Sequence, residues 1–254
     1  MSFRHIVAIR FMTQPSNVGG ISDREAGEFY ADLFGRYTLK SLLNMENRSF
    51  ETVFLVRDSG GLSYLGPLME HAVGLDASFV RYSEFPSFVE RLRGDGNLIV
   101  SRCDADDLYA SWVIDDVQKT ALMHEMPFVF GYQRSLMYRI GDGRLRVHEK
   151  NYGKGHWSSF QSLVYGRDER LRGVTPYSWN HTDFFSELSK RGFTLNELRR
   201  MKADSSHEGY PYVWMRNGRN ISRDDADSDA RYPETNIVPK EYVLRNFGVE
   251  LPLK

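Results

Sequence analysis

The sequence predicts an α/β fold with a mostly parallel central sheet flanked by helices. Short apolar runs alternate with amphipathic runs through the first half of the chain, which is the order typical of such sheets. The 254 residues, 41% of them hydrophobic and 26% charged, have the composition of a globular protein with a substantial core. We expect a single domain over residues 1–254, with a first half at 1–124 and an elaborated second half at 125–254.

The first half supplies the alternating elements. A strand is predicted in "HIVAIRF", and a long helix is predicted to begin at Ser22, where Glu25 completes a capping box. Further strands are predicted in "ETVFLVRDSGG", "ASFVRY" and "LIVSRC", and further helices in "YLGPLMEHAVG", "PSFVERLRG" and "ASWVIDDVQKTALMH".

The second half has a different pattern. The stretch "PFVFGYQRSLMYRIGDGRLRVHEKNYG" predicts strands joined by a hairpin at residues 141–143. Another strand is predicted in "SSFQSLVYGRDER", and an amphipathic helix in "YSWNHTDFFSELSKRG" with Phe184, Phe185 and Leu188 facing inward.

Charge and cysteine content exclude several classes of protein. The 33 Lys and Arg residues nearly balance 34 Asp and Glu residues, so no overall positive field favours a nucleic-acid partner. The single Cys103 excludes an internal disulfide framework. The opening "MSFRHIVAIRF" lacks the apolar run of a signal peptide or membrane span. We therefore expect a cytoplasmic protein without a transmembrane segment, which is compatible with peripheral membrane association.

Three aspartates follow the apolar strand in "LIVSRCDADDLY". Asp104, Asp106 and Asp107 would raise one another's pKa unless a positive group lay between them. A divalent cation, Mn²⁺ or Mg²⁺, would meet that need. The alternative is a structural role, because Asp106 or Asp107 would suit the N-terminus of the following helix.

Polar side chains follow three of the predicted strands. Ligands of open parallel sheets bind beyond the carboxyl ends of the strands. Arg10 follows the first strand, Asp58 the second and Asp104 the fourth, which together suggest a nucleotide-diphosphate site. There Arg10 would bind phosphate and Asp58 would accept a hydrogen bond from a base or ribose. Asp58 is equally consistent with a turn residue in "RDSGG".

These residues also carry a family resemblance. The pattern "YTLKSLLN…FETVFLVRDSGG…LIVSRCDADD" resembles the nucleotide-binding half of a GT-A glycosyltransferase. The segments "IRF", "LFGRYTLKSL", "DADD" and "VWMRNGRNIS" resemble a family of rhamnosyltransferases over most of the chain. The "AIRF" segment departs from the turn found in common inverting GT-A enzymes, so base recognition near Arg10 is not carried over.

The resemblance implies a GT-A-like fold and a metal-dependent glycosyltransferase of the hexosyltransferase type. Its donor would be a nucleotide-diphosphate sugar, such as activated rhamnose, and its acceptor a carbohydrate or other hydroxyl in polysaccharide or glycoconjugate synthesis. Residues 1–124 would bind the nucleotide sugar and residues 125–254 would form the acceptor side. Asp104 and Asp106 match the DxD motif that reaches the metal and the donor's ribose or diphosphate, and Asp58 matches the acid near the base.

Three candidates for the chemistry lie in the second half. Lys154, in "NYGKGHWSS", would assist at the departing diphosphate. Asp183 is the candidate base that takes the acceptor proton, with helix capping as the alternative. His181 is a candidate third metal ligand or a structural histidine.

Two other classes of function fit the same residues. Aspartates at strand ends also serve nucleotidyl and phosphoryl transfer, although "SGG" after Asp58 makes a poor phosphate loop. A non-catalytic nucleotide-sugar binder would keep the pocket without turnover. Donor hydrolysis distinguishes such a binder from a transferase, because a transferase passes some sugar to water.

Overall fold

The computed structural model describes residues 3–13, 22–58, 65–94, 97–141, 143–149, 160–179, 183–216 and 238–252. The strands in these ranges are β1 (Arg4–Arg10), β2 (Glu51–Val56), β3 (Ala77–Arg81), β4 (Leu98–Asp104), β5 (Leu108–Tyr109), β6 (Phe128–Gly131), β7 (Arg134–Arg139), β8 (Arg144–Glu149), β9 (Gln161–Tyr165), β10 (Lys202–Asp204) and β11 (Tyr212–Arg216). The α-helices are α1 (Asp23–Leu33), α2 (Leu39–Leu43), α3 (Gly66–His71), α4 (Phe85–Arg93), α5 (Val113–Met123), α6 (Phe184–Lys190), α7 (Leu195–Met201) and α8 (Lys240–Phe247).

Seven strands form the central sheet, in the order β10-β6-β9-β4-β1-β2-β3. Neighbouring strands are parallel except at β9, which runs antiparallel to both β4 and β6. This confirms the predicted α/β fold class with a mostly parallel central sheet. The carboxyl ends of β1, β2 and β4 therefore lie at one edge of the sheet, where the candidate site was expected.

A second sheet of four strands belongs mainly to the later part of the chain. Its order is β5-β11-β7-β8, and β7 and β8 form the predicted antiparallel hairpin. Strand β5 follows the aspartate segment directly and pairs with β11. The second sheet is thus joined to the first immediately after Asp104, which brings β11 close to the predicted site.

The predicted helix after β1 begins at Ser22. Its side chain accepts the Glu25 N–H, and the Glu25 carboxylate accepts the Ser22 N–H at 2.7 Å, which confirms the capping box. The helix is interrupted by a π-helical turn over Phe34–Thr38 before α2. In this turn Gly35 packs against the His71 ring of α3, and a Cβ at Gly35 would lie 2.6 Å from Nδ1.

Side chains alternate between two apolar layers, one on each face of the central sheet. On the α1 face, Val7 and Ile9 pack with α1, α3 and α5. On the α4 face, Ile6 and Ala8 pack with α4, α6 and α7. The predicted inward residues of α6 follow this arrangement, since Phe184 and Leu188 are buried and Phe185 is partly buried on the α4 face.

Within the described ranges, no helix is both long enough and apolar enough to cross a membrane.

Candidate functional site

Arg10 and Asp104 meet at the carboxyl ends of β1 and β4. They are partners in the register of these two parallel strands. Arg10 Nη2 lies 2.9 Å from Asp104 Oδ1, and the Asp104 side chain is 17% exposed against 36% for Arg10. The charge of Asp104 raises the pKa of Arg10, so the Arg10 guanidinium stays positively charged at neutral pH. The predicted proximity of these two residues is therefore observed, and their role in binding stays a prediction.

A second arginine, Arg102, lies next to this pair and was not among the residues predicted from the sequence. Arg102 precedes Asp104 by two residues on β4 and therefore shares its face of the sheet. Its Nη2 lies 4.0 Å from Asp104 Oδ2, and its guanidinium lies 4.9 Å from the centre of the Tyr177 ring. The Asp104 carboxylate thus faces two guanidinium groups, those of Arg10 and Arg102. The Arg102 side chain is only 8% exposed, so this second guanidinium is largely buried.

Tyr177 joins the ends of the two strands. Its hydroxyl accepts the Cys103 N–H at 3.0 Å and lies within donating distance of two carbonyls, Ala8 at 2.8 Å and Cys103 at 2.5 Å. Burial raises the pKa of Tyr177, so the phenol keeps its proton and stays a donor. The Tyr177 ring also lies 5.9 Å from the Arg10 guanidinium. This tyrosine therefore positions the strand ends and both arginines.

The main chain of the aspartate segment is fixed by two hydroxyls. Asp104 N–H donates to the Tyr109 hydroxyl at 2.6 Å, and that hydroxyl donates to the Asp104 carbonyl at 3.0 Å. Thr38, at the end of the π-helical turn, donates to the Ala105 carbonyl at 2.7 Å. The segment that carries the acidic residues is thus held by β5 and by the first helical region.

Asp107 faces the second sheet. It is 1% exposed, and its Oδ1 accepts the Met215 N–H of β11 at 3.1 Å. Burial, followed by the charges of Asp106 and Asp104, raises the pKa of Asp107 well above its usual value. The Asp107 side chain is thus tied to β11, and the predicted role of Asp104 and Asp106 as metal ligands stays a prediction.

Asp104 and Asp106 are the remaining candidate ligands for the expected metal. Within the described ranges, no group of three or more His, Cys, Asp or Glu side chains is arranged to hold an ion. Asp104 and Asp106 remain as oxygen ligands, and Mg²⁺ is commonly held by one or two carboxylates together with substrate phosphates and water. This donor set fits Mg²⁺ or Mn²⁺ bound with a phosphorylated substrate, provided that Arg10 releases Asp104.

Comparisons with known proteins give only remote likenesses. No protein-family model and no curated protein match the sequence. The structure is similar to that of a cytidylyltransferase from Leptospira borgpetersenii, with a TM-score of 0.42 and 10% identity, covering 82% of this chain and 77% of that one. It is also similar to a protein described as a nucleotide-diphospho-sugar transferase from Desulfovibrio desulfuricans, with a TM-score of 0.38 and 9% identity, covering 84% and 81% of the two chains. Structural similarities with TM-scores this low do not indicate the activity of this protein.

Asp58 lies at the carboxyl end of β2, as predicted. Its Oδ1 accepts the Ser83 N–H at 2.9 Å, in the turn that leads from β3 into α4. Hydrogen bonding to Ser83 lowers the pKa of Asp58, which is therefore ionised at neutral pH. The side chain is exposed, so Asp58 both links two loops and presents a carboxylate at the sheet edge.

Asp183 occupies the position before α6 and is exposed. Its carbonyl accepts hydrogen bonds from Ser186 and Glu187, while its side chain makes no capping bond. The predicted capping alternative is therefore not observed for the Asp183 carboxylate, and no described contact joins Asp183 to Arg10 or Asp104. Lys154 and His181 lie outside the described residues.

Proposed function

We propose that this protein is a glycosyltransferase that moves a sugar from a nucleotide-diphosphate donor to a hydroxyl acceptor. The observation that carries the proposal is the contact between Arg10 and Asp104 at the carboxyl ends of β1 and β4. This edge is where open parallel sheets bind ligands. A guanidinium and a carboxylate placed there can bind, respectively, the phosphates of a nucleotide and its metal or ribose.

Donor binding would separate this ion pair, with Asp104 contacting a metal ion and Arg10 contacting a phosphate. Asp104 and Asp106 would hold Mg²⁺ or Mn²⁺, which supplies positive charge to the departing diphosphate when bound. Arg10, released from Asp104, would turn its guanidinium to a phosphate oxygen, where bidentate hydrogen bonding is available. Lys154 would supply a further positive charge at the leaving group, and His181 a further ligand.

The remaining roles concern the base and the acceptor. Asp58, ionised and exposed at the end of β2, would accept a hydrogen bond from the nucleoside. Asp183 would take the proton from the acceptor hydroxyl as the new glycosidic bond forms. The resemblance to rhamnosyltransferases supports a deoxythymidine- or uridine-diphosphate sugar as the donor, with rhamnose as the first sugar to test.

A thermal-unfolding screen tests the donor site. The wild-type protein is mixed with nucleoside diphosphates and nucleotide sugars, each with and without Mn²⁺, because a ligand at 100 times its Kd stabilises the folded state by about 2.7 kcal/mol. We expect a metal-dependent increase in Tm with one nucleotide, and its loss in Asp104→Asn and Asp106→Asn. Asp204→Asn is the matched control, because Asp204 ends the edge strand β10 of the same sheet, far along it from β4.

Turnover then separates the functional classes. A glycosyltransferase releases nucleoside diphosphate from the sugar donor, whereas a nucleotidyl transferase releases pyrophosphate from a nucleoside triphosphate. A non-catalytic binder shows the Tm increase with neither product. No Tm increase with any nucleotide, in the presence or absence of Mn²⁺, would contradict all three.

A further inference from the structure

Two neighbouring side chains on the α4 face carry polar atoms that are buried without hydrogen bonds. Arg102 is 7% exposed, and within the described part of the chain its Nε has no hydrogen-bond partner. Gln161 is 0% exposed, and neither Nε2 nor Oε1 of its amide has a partner there. A buried polar atom without a partner destabilises the folded protein, so a ligand that bonded to these atoms would remove that cost.

The sheet register places these two residues side by side. The pairing of β4 with β9 runs as far as Ser101 opposite Ser162, so Gln161 is the next residue along β9 and Arg102 the next along β4. By the two-residue alternation, Gln161 shares its face with Leu163, and Arg102 shares its face with Val100, both of which lie in the layer on the α4 face. Arg102 and Gln161 are therefore neighbours on this face of the sheet, and Arg102 lies two residues before Asp104 along β4. We refer to these two side chains as the polar wall of the site.

The charges at this wall favour an anion. Within the described ranges, Asp104 is the only carboxylate in ion-pair distance of Arg102, and its nearer oxygen is 4.0 Å away. The other oxygen of that carboxylate is held by Arg10 at 2.9 Å. Stacking on Tyr177 keeps the Arg102 guanidinium at the sheet edge without neutralising it. Arg102 is thus a nearly fixed positive charge, whereas Arg10 is partly exposed and already paired.

We propose that Arg102, with Gln161 beside it, binds a phosphate group of the ligand at the inner wall of the site. The proposal rests on the proposed function insofar as the phosphate belongs to a nucleotide diphosphate. Arg102 would donate N–H groups to the phosphate oxygens, and Gln161 Nε2 would add one donor. The two arginines would then have different roles. Arg102 would bind the phosphate for as long as the ligand is present, and Arg10 would alternate between Asp104 and the ligand.

The test compares a nucleoside with its diphosphate by isothermal titration. Uridine, uridine diphosphate and inorganic pyrophosphate are titrated into the full-length wild type and into Arg102→Met, all in the presence of Mg²⁺. We expect Arg102→Met to bind the diphosphate and pyrophosphate about 10- to 100-fold more weakly, the usual effect of losing hydrogen bonds to a charged group. Uridine affinity should be unchanged, which a general disturbance of the fold would not produce.

Arg93→Met is the matched control. The side chain of Arg93 is also largely buried, with its guanidinium 5.8 Å from the Tyr165 ring, but Arg93 lies at the C-terminal end of α4 and donates to the Gly166 carbonyl. It should leave all three affinities unchanged. Gln161→Leu is a second variant with two opposite effects: removal of the unsatisfied amide should raise the Tm of the ligand-free protein, while pyrophosphate binding weakens.

The outcomes separate this proposal from the proposed function. If Arg102→Met binds diphosphate and pyrophosphate as the wild type does, the role of Arg102 is overturned while the nucleotide site stands. If the wild type binds pyrophosphate but no nucleoside diphosphate, either in this titration or in the thermal-unfolding screen, and Arg102→Met loses pyrophosphate, the phosphate site stands and the glycosyltransferase proposal fails. If the wild type binds neither pyrophosphate nor any nucleoside diphosphate of the screen, both proposals fail.

Discussion

The phenol of Tyr109 contacts both main-chain polar groups of Asp104. It accepts the Asp104 N–H at 2.6 Å and donates its own proton to the Asp104 carbonyl at 3.0 Å. Asp104 ends β4, where the ladder of the central sheet stops, so a side chain replaces the next strand as its partner. Burial raises the pKa of Tyr109, which keeps the hydroxyl protonated and able to donate.

Tyr109→Phe should therefore lower both the stability and the donor affinity of the protein. Loss of the hydroxyl removes one hydrogen bond from the Asp104 N–H and one from its carbonyl, which keeps the longer 3.4 Å bond from Asp107 N–H, at a cost of about 1–3 kcal/mol. Urea unfolding should show a lower midpoint with an unchanged m value.

Tyr165→Phe is the control, because Tyr165 is equally buried but donates to the Val174 carbonyl, away from Asp104. It should lose stability and keep donor affinity; an equal loss of affinity in both variants would contradict a specific role for Tyr109.

Arg10→Gln should affect the metal and the nucleotide in opposite directions. The Arg10 guanidinium competes with a cation for Asp104, so its removal should strengthen Mn²⁺ binding in the absence of nucleotide. The same change removes a donor to phosphate and should weaken nucleoside diphosphate binding about 10-fold or more. Titration of free Mn²⁺ by electron paramagnetic resonance measures the first effect, and calorimetry measures the second.

Arg4→Gln is the control for Arg10 because it lies at the other end of the same strand. Arg4 pairs with Glu51 on β2 at 2.7 Å, and both side chains are well exposed. A surface pair of this kind contributes about 0–1 kcal/mol, and neither binding constant should change. A fall in both affinities for Arg10→Gln would show that Arg10 supports the site structurally and does not exchange partners.

The sequence predicted the central sheet well because the strand signals are local. In β1 and β4 the apolar runs are continuous, as expected for strands buried on both faces, and their positions alone imply that Arg10 and Asp104 lie at one edge. The capping box at Ser22 likewise fixes the start of α1 from two residues three apart. These features require no information about distant parts of the chain.

The missed parts of the site depend on contacts between distant segments. Tyr177 reaches the Cys103 main chain across 74 positions of sequence, and Gln161 becomes a neighbour of Arg102 only through the antiparallel strand β9. Asp107 was grouped with its neighbours by sequence, yet its orientation is set by Met215 on β11. One missed element did have a local signal: Thr194 and Glu197 form a capping box at the start of α7.

His5 should make the stability of the protein depend on pH. It is buried on β1, where Nε2 lies 2.7 Å from the Ser101 hydroxyl, and burial lowers the pKa of His5 to about 3. The unfolded chain takes up this proton as the pH falls through about 6.5, whereas the folded protein does not, so stability is lost between about pH 6.5 and 3. At pH 5 the expected loss is about 2 kcal/mol.

His5→Gln removes this contribution while keeping a side chain able to hydrogen-bond with Ser101. The free energy of unfolding is measured in urea at pH 7.5 and at pH 5 for both proteins. It should fall less between these two pH values in the variant than in the wild type. His207→Gln is the control, because His207 is exposed. A wild-type pH dependence in His5→Gln would mean that the buried imidazole does not account for the loss.

Asp183→Asn should lower turnover and leave donor binding intact. The Asp183 carboxylate is exposed and makes no capping bond to α6, so its replacement should change the free energy of unfolding by less than about 0.5 kcal/mol. If Asp183 removes the acceptor proton, kcat should fall by about 10²- to 10⁴-fold. The Kd of the nucleotide sugar should stay at its wild-type value, because the base acts on the acceptor.

Glu187→Gln, one turn later on α6 and paired with Lys190, is the matched control and should retain kcat. An Asp183→Asn variant with wild-type kcat would move the base to another residue, while a loss of donor affinity would place Asp183 on the nucleotide side of the site.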